Sequence, residues 1–170
     1  MNTRELTLFS MFAAVMFASR LLLQMIPGVH LNGLMIAALT LTYRQRALIP
    51  IYLYVTLEGL FSGFALWWVP YVYIWIPLWA AFMFLGKLNL SKNAKTPAYM
   101  IACGLHGLLF GIMYAPMQAL MFGLSFRGMI AWVLAGIPFD ILHAVAQTIA
   151  GILILPLVTL MTTLKEKQKV

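Results

Sequence analysis

The sequence predicts an all-α integral membrane protein, and its composition and the placement of its charges carry that prediction. Of its 170 residues, 64% are hydrophobic and only 9% are charged, with a mean hydropathy of +0.95. Soluble domains are about half apolar and about a quarter charged. A domain this small also keeps a large fraction of its residues at the surface, so a soluble fold could not bury so many apolar side chains. We therefore expect a single domain, residues 1–170, that lies in a lipid bilayer.

Six apolar segments are candidates for transmembrane helices, since a helix needs about 20 residues to cross the hydrocarbon layer and fewer if it packs among neighbours. They are 6–26, 31–43, 47–66, 68–86, 97–123 and 138–164. The second is short, so we expect it to pack inside the bundle or to start below the outer surface. The apolar stretch between the fifth and sixth segments predicts a short capping helix at the outer face. Pro138 would then occupy the first turn of the sixth helix, where its missing N–H is harmless.

The basic residues predict the topology. Of the 11 lysines and arginines, Arg20 lies inside a helix, Arg127 lies in an outer connection, and the others lie at the two chain ends and in the second and fourth connections. By the positive-inside rule, both termini are therefore cytoplasmic. The net charge of +7 belongs to this pattern, and no basic run with interleaved polar surface suggests a nucleic acid partner. Cys103 is the only cysteine, so one chain can form neither a disulfide framework nor a thiolate metal cluster.

The first helix carries a strip of small residues. Ser10, Ala14 and Ala18 recur every four residues, so they lie on one face of the helix. Such strips allow another helix to approach closely in a membrane. The strip either packs inside this bundle or forms an interface with a partner.

Aromatic residues crowd the fourth helix in the stretch "GFALWWVPYVYIW". Trp68, Tyr71 and Trp75 recur at helical spacing, and Trp132 lies in the predicted capping helix. One interpretation is an interfacial belt, in which Trp and Tyr settle at the level of the lipid headgroups. The other is a stacking wall for a flat ligand. The belt explains the deeper Trp75 less well than it explains Trp67 and Trp68.

Ionisable residues at membrane depth are costly and usually face a partner or a cavity. Arg20 and Glu58 both fall in outer halves of helices, and an internal ion pair between them is one interpretation. Asp140, His143 and Gln147 share a face of the sixth helix, and His106 falls in the inner half of the fifth. Asp140 and His143 lie near the level of the tryptophans. Asp140 is either a helix cap in the first turn or, with His143, part of a ligand site.

Enzymatic functions are disfavoured because their motifs are missing. The sequence contains no H-E-x-x-H or comparable metal spacing, no G-x-S-x-G, and no G-x-x-x-x-G-K-[ST]. We therefore expect no catalytic residues, no metal and no cofactor, and any ATP hydrolysis would belong to partner subunits. Paired repeats with matching helix breaks, which often mark a stand-alone secondary carrier, are not found, although such a carrier is the alternative class.

The chain resembles the substrate-binding S component of an energy-coupling factor (ECF) vitamin transporter. The resemblance covers essentially the whole chain and is most specific in three stretches: "NTRELTLFSMFAAVMFASR", "LEGLFSGFALWWVPYVYIW" and "GIPFDILHAV". It implies a multi-pass protein of the bacterial plasma membrane that binds a B-vitamin or a precursor near the external face for ATP-driven uptake. The implied partners are a transmembrane T subunit, docked on Ser10, Ala14 and Ala18, and two cytoplasmic ATPase subunits.

The residues expected to bind the substrate combine aromatic rings with ionisable groups: His30, Glu58, Trp68, Tyr71, Trp75, Trp132, Asp140 and His143. Aromatic walls with carboxylates favour a flat, nitrogen-bearing ring, such as hydroxymethylpyrimidine or a pyridoxine-type molecule. Pantothenate or another vitamin is the alternative, since Arg20, His30, Arg127 or His143 could bind a carboxylate.

Overall fold

The computed structural model describes residues 3–26 and 29–167, and in these residues every regular element is a helix, joined by turns and short irregular connections. The α-helices are α1 (Thr3–Leu23), α2 (Asn32–Tyr43), α3 (Leu48–Ser62), α4 (Tyr71–Ile74), α5 (Ile76–Leu85), α6 (Lys92–Leu108), α7 (Phe110–Phe122), α8 (Phe126–Ala150) and α9 (Ile154–Lys167). Three 3-10 segments join them: Arg44–Ala47, Leu66–Trp68 and Gly151–Leu153. The predicted all-α class is confirmed.

Four helical stretches among the described residues are long enough and apolar enough to cross a membrane. They are Thr3–Leu23, Leu66–Leu85, Lys92–Phe122 and Phe126–Lys167. This is compatible with a membrane protein. The helices α2 and α3 have 12 and 15 residues, fewer than the roughly 20 that an unsupported crossing needs.

The short helix α2 forms the centre of the bundle. Of its 12 residues, 11 are buried, and it packs against α1, α5, α6, α8 and α9. A helix that is apolar all round and has no lipid-facing side must be surrounded by protein. The prediction that this short segment packs inside the bundle is confirmed.

The predicted separate capping helix is wrong. The helix α8 continues from Phe126 to Ala150 without a break, and Pro138 lies in its interior. The start is set by Ser125, whose Oγ accepts the N–H of Gly128 at 3.2 Å and so caps the first turn. A proline removes one helical hydrogen bond, but apolar membrane helices tolerate that loss where neighbours compensate. The rule that proline favours the first turn therefore placed the helix start too late.

The aromatic stretch is also less regular than one helix from residue 68 would be. Gly63 ends α3 with φ of 89°, a conformation that glycine adopts without strain. The chain then passes through the 3-10 segment Leu66–Trp68 and the short α4, and Trp75 lies at the turn before α5. This turn aims the Trp75 side chain into the bundle.

Several polar contacts gather the helix ends at one end of the bundle, which we call the basic end. Arg46 pairs with Glu5 at 2.8 Å, which joins the start of α1 to the turn after α2. Lys165, near the end of α9, donates to the carbonyl of Thr42 at 2.9 Å. The start of α1 and the end of α9 therefore lie at the same end of the bundle.

Candidate functional site

Trp75 lies at the centre of a buried group of rings. Its indole stacks on the His106 ring, with centroids 5.6 Å apart and an interplanar angle of 24°. The His30 ring meets the indole edge-on at 6.0 Å, and Tyr71 and Tyr54 approach it at 6.2 and 6.3 Å. Trp75 is only 2% exposed, so it does not belong to a lipid-facing belt. The aromatic cluster, as we call it, consists of His30, Tyr54, Tyr71, Trp75, His106, Phe110 and His143.

All three histidines of the chain meet in this cluster. The His30 ring lies 4.7 Å from the His143 ring, which packs against Phe110 at 4.9 Å. One nitrogen of His106, Nε2, lies 2.8 Å from the carbonyl oxygen of Ile74. They come from three separate parts of the chain: the α1–α2 connection, α6 and α8. The fold thus brings together imidazoles that are far apart in sequence.

A short hydrogen-bond network fixes the His30 ring. The amide of Gln147 donates to the His30 carbonyl at 3.0 Å and lies 3.0 Å from Nδ1 of the ring. The backbone N–H of Asn32 also donates to that Nδ1 at 3.3 Å. Two donors on Nδ1 require it to be unprotonated, so the neutral ring carries its proton on Nε2. Gly33 makes this approach possible, because a Cβ there would overlap Oε1 of Gln147.

The protonation state of His30, which lies in the α1–α2 connection, agrees with this geometry. Burial, more than any other cause, lowers the pKa of His30 from 6.5 to about 3. The neighbouring His143, His106 and Arg20 lower it further, since a positive charge near the ring disfavours a second one. At neutral pH the ring is therefore an uncharged surface for stacking and hydrogen bonding.

Apart from the oxygens of the ion-paired Glu58, four buried polar atoms in and around the cluster have no hydrogen-bond partner among the described residues. They are Asn32 Oδ1, Trp75 Nε1, His143 Nε2 and Gln147 Oε1. Each of these residues is at most 5% exposed. An unsatisfied buried donor or acceptor costs about 1–3 kcal/mol. Each of these atoms is therefore able to bond to a polar molecule, water included, that enters the cluster.

Arg20 and Glu58 form an ion pair, as one interpretation of the sequence expected. Arg20 Nη1 lies 3.3 Å from Glu58 Oε2, and the Glu58 side chain is fully buried. The pair joins α1 to α3, one helical turn from Tyr54. Arg20 is therefore already engaged by a carboxylate.

Asp140 has a different structural role from the one expected. It lies in the middle of α8 instead of its first turn, so it does not cap its own helix. Its Oδ1 accepts the backbone N–H of Gly111 at 3.1 Å. That N–H is free because α6 ends at Leu108 and α7 begins at Phe110. Asp140 thus caps the first turn of a neighbouring helix.

Two of the expected tryptophans lie outside the aromatic cluster. Trp132 stacks on Tyr114 at 6.2 Å, and Tyr114 in turn stacks on Phe110 at 6.3 Å, so Trp132 reaches the cluster through one intermediate ring. Trp68 packs on Phe64 and donates from Nε1 to the carbonyl of Val55 at 2.7 Å. The loop after α3 is thereby pinned to α3.

The structure therefore brings together four of the expected site residues, His30, Tyr71, Trp75 and His143. Glu58, Asp140 and Trp132 lie next to that group. Tyr54, His106, Phe110, Asn32 and the amide of Gln147 complete it. Only His106 and Gln147 had a signal in the sequence, as polar residues at membrane depth.

The strip of small residues on α1 faces outward. Ser10, Ala14 and Ala18 are exposed, whereas Ala13 and Met16, which lie elsewhere around the helix, are buried. The alternative that the strip packs inside this bundle is therefore wrong. A strip of small side chains is left open to lipid or to a partner.

Two observations limit what the site can do. Within residues 3–26 and 29–167, no group of three His, Cys, Asp or Glu side chains could hold a metal ion, although the histidines are close together. An apolar groove of about 530 Å³ between α5 and α6 reaches the cluster at His106. All its other lining residues are apolar, so the groove suits a hydrocarbon chain better than a polar ligand.

Comparisons with protein-family models, with curated proteins and with solved structures found no match for this chain. A function is therefore inferred from the residues and their arrangement alone.

Proposed function

We propose that this chain is the substrate-binding S component of an ECF-type vitamin transporter in a bacterial plasma membrane. It would cross the membrane six times, with both termini and the basic end in the cytoplasm. It would capture a vitamin or a precursor on the outer side and perform no chemistry itself. The observation that carries the proposal is the aromatic cluster with its four unpaired, buried polar atoms.

The six crossings are supported by the arrangement of the helices. The start of α1 and the end of α9 meet at the basic end, which requires an even number of crossings. The short α2 is protected from lipid by its neighbours, so it can cross with fewer residues than an isolated helix. Lysine and arginine residues at one end of a bundle favour the cytoplasmic side.

The chemistry of the cluster favours a flat heteroaromatic ring. Trp75 Nε1 is a donor only, whereas Gln147 Oε1 and Asn32 Oδ1 are acceptors only. A ring with a nitrogen acceptor and with amino or hydroxyl donors would satisfy all three, as in hydroxymethylpyrimidine or a pyridoxine-type molecule. Stacking on the indole would supply the apolar part of the binding energy.

Pantothenate is a weaker candidate. A carboxylate ligand needs a cation, and Arg20 is already paired with Glu58. His30 is neutral at physiological pH, because burial lowers its pKa to about 3. Arg20 and His30 therefore offer no free positive charge to a pantothenate carboxylate, whose binding would fall to His143 or to Arg127, exposed at the start of α8.

Binding requires a side chain of the cluster to move, because its rings already pack closely. His30 is the natural candidate, since its backbone belongs to no helix whereas Trp75, His106 and His143 lie within or directly beside helices. Moving His30 would release the amide of Gln147 as well. The ligand would then take the place of the His30 ring beside Trp75 and accept the hydrogen bond from the Gln147 amide.

The proposal is tested in two measurements. The purified chain is heated with a panel of vitamins and precursors, because a ligand that binds only the folded protein raises its unfolding temperature. We expect stabilisation by a heteroaromatic member of the panel. Uptake of that compound is then measured in vesicles that contain only this chain. Binding without concentrative uptake is the expected result, whereas concentrative uptake by the chain alone would establish a stand-alone carrier and overturn the proposal.

A further inference from the structure

A cleft of about 480 Å³ opens at the basic end, far from the aromatic cluster. It lies where α1, the turn after α2, α5 and α9 meet. The cleft is lined mainly by basic residues, with one tyrosine and one carboxylate among them: Tyr43, Arg44, Arg46, Lys87, Lys165 and Glu5. Tyr43 and Asn32 stand at opposite ends of α2, so the cleft and the cluster are separated by the length of that helix.

The cleft carries more positive charge than the ion pairs among the described residues neutralise. Glu5 pairs with Arg46 at 2.8 Å. Across the described ranges, no carboxylate lies within ion-pair distance of Arg44, Lys87 or Lys165. Three cations around one cleft favour an anion between them, because each would otherwise repel the others.

Two of these cations are held in place by neutral partners. Arg44 Nη2 donates to the carbonyl of Met83 at 2.7 Å, and Lys165 Nζ donates to the carbonyl of Thr42. The guanidinium of Arg44 also lies against Gly86, where a Cβ would overlap Nη1. Carbonyl contacts orient a cation without cancelling its charge. The positions of the charges are therefore set before any anion arrives.

The backbone of Arg44 is strained. Its φ is 57° and its ψ is −123°, an unusual conformation for a residue with a side chain. Trp79 donates from Nε1 to the Arg44 carbonyl at 3.3 Å and so helps to hold it. Strained residues persist where the surrounding structure over-determines them, commonly at binding sites.

Tyr43 brings a buried, unpaired hydroxyl to the wall of the cleft. It is only 6% exposed, and its hydroxyl has no hydrogen-bond partner among the residues that the structure describes. Phe9 packs edge-on against its ring at 5.1 Å, and Lys165 Nζ lies 5.2 Å above the ring centre. A buried, unpaired hydroxyl in the wall of a basic cleft can donate a hydrogen bond to an acceptor that binds there.

From these contacts we propose that the cleft binds the phosphate of an anionic phospholipid. Arginine, lysine and a phenolic hydroxyl together offer several donors to the oxygens of one phosphate group. The cleft lies at the end of a bundle of apolar helices, where basic pockets commonly bind anionic headgroups. Lipid binding in the cleft would be independent of ligand binding in the aromatic cluster, because none of the cluster residues lines the cleft.

The test measures lipid retention. The chain is reconstituted with phosphatidylglycerol or with zwitterionic phosphatidylcholine, and the bound lipid is quantified by native mass spectrometry after delipidation. We expect phosphatidylglycerol to be retained preferentially, and the preference to weaken as the salt concentration rises. Equal retention of the two lipids would overturn the proposal.

Variants locate the binding in the cleft. Tyr43→Phe removes only the hydroxyl and Lys87→Gln only a charge, and each should weaken phosphatidylglycerol binding by about tenfold, as expected for one charged hydrogen bond. Lys92→Gln is the matched control, because Lys92 is an exposed lysine of α6 that does not line the cleft. An equal loss in the control would reduce the effect to net charge and overturn the site. Saturable binding of soluble glycerol phosphate with equal affinity would overturn the assignment to a lipid.

Discussion

The carboxylate of Asp140, in the middle of α8, accepts the backbone N–H of Gly111, in the first turn of α7, at 3.1 Å. The two groups can meet because Gly111 has no side chain, and a Cβ there would overlap Oδ2 of Asp140. The contact closes the joint between α6 and α7, the helices that pack along α8. The burial of the Asp140 carboxylate is thus explained by the hydrogen bond that it makes where α6 and α7 join.

Asp140→Ala should lower the free energy of unfolding by about 1–3 kcal/mol, since it leaves the Gly111 N–H buried without a partner. Asp140→Asn should cost much less, because the amide oxygen can still accept that hydrogen bond. Thermal unfolding of both variants in one detergent checks this. Equal destabilisation by the two substitutions would show that the negative charge, and not the hydrogen bond, matters.

Gly107 is expected to be the least replaceable glycine of the α6–α8 interface. A Cβ at this position would lie 3.0 Å from the N and Cα atoms of Ala144, and backbone atoms cannot move aside as a side chain can. Gly107→Ala should therefore destabilise the chain by about 1–3 kcal/mol, as overpacking does. The measurement is the shift of the unfolding midpoint.

Gly136→Ala is the matched control for that variant. Gly136 is a helical glycine of α8, and a Cβ added to it would have no atom within 4 Å. There the change should be neutral or stabilising by up to about 1 kcal/mol, because alanine restricts the unfolded chain. A similar loss of stability at both positions would contradict the interpretation that close backbone contact is the cause.

The sequence predicted the interior position of α2 because a short apolar helix without charges has to be covered by protein. The predicted start of the last long helix at Pro138 was wrong, because α8 begins earlier, where Ser125 caps the first turn by accepting the N–H of Gly128. The aromatic cluster was predicted only in part. Trp75 and His143 carry signals of their own, but Phe110 and Tyr54 join them through turns at Leu109 and Trp75 that no local pattern specifies.

His30 should make the stability of the chain sensitive to acid. Its pKa is about 3 in the folded protein, mainly because of burial, against 6.5 in the unfolded chain. Between these pH values the unfolded chain binds the proton more readily than the folded chain. The contribution of neutral His30 to stability is therefore fully present above about pH 6.5 and is lost as the pH falls towards 3. Unfolding midpoints measured from pH 7.5 down to 5 should decrease, and should decrease less in His30→Gln. Parallel pH profiles for the two proteins would contradict this role of His30.

If the proposed function holds, Trp75→Phe should weaken binding of the vitamin that stabilises the chain by about tenfold or more, because phenylalanine loses part of the stacking surface and the only donor on that side chain. Phenylalanine is preferred to alanine here, since Trp→Ala in a core typically costs about 3–5 kcal/mol of stability. Calorimetry on the folded variant checks the affinity. Trp67→Ala is the control, because Trp67 contacts Tyr71 but not Trp75. Wild-type affinity in Trp75→Phe would remove the indole from the binding site.

If the chain is the proposed S component, Ala14→Leu together with Ala18→Leu should abolish assembly with the T and ATPase subunits and leave vitamin affinity unchanged. Both alanines are exposed on α1, so larger side chains there need not disturb the bundle. A partner helix that packs on small residues loses its close approach when they are enlarged. Co-purification of the complex and calorimetry on the isolated chain measure the two properties separately. Ile149→Trp is the control, because Ile149 is 61% exposed on α8, away from the strip. An intact complex in the double variant would show that this outward strip faces lipid, whereas loss of the complex in the control as well would show that bulk anywhere on the surface prevents assembly.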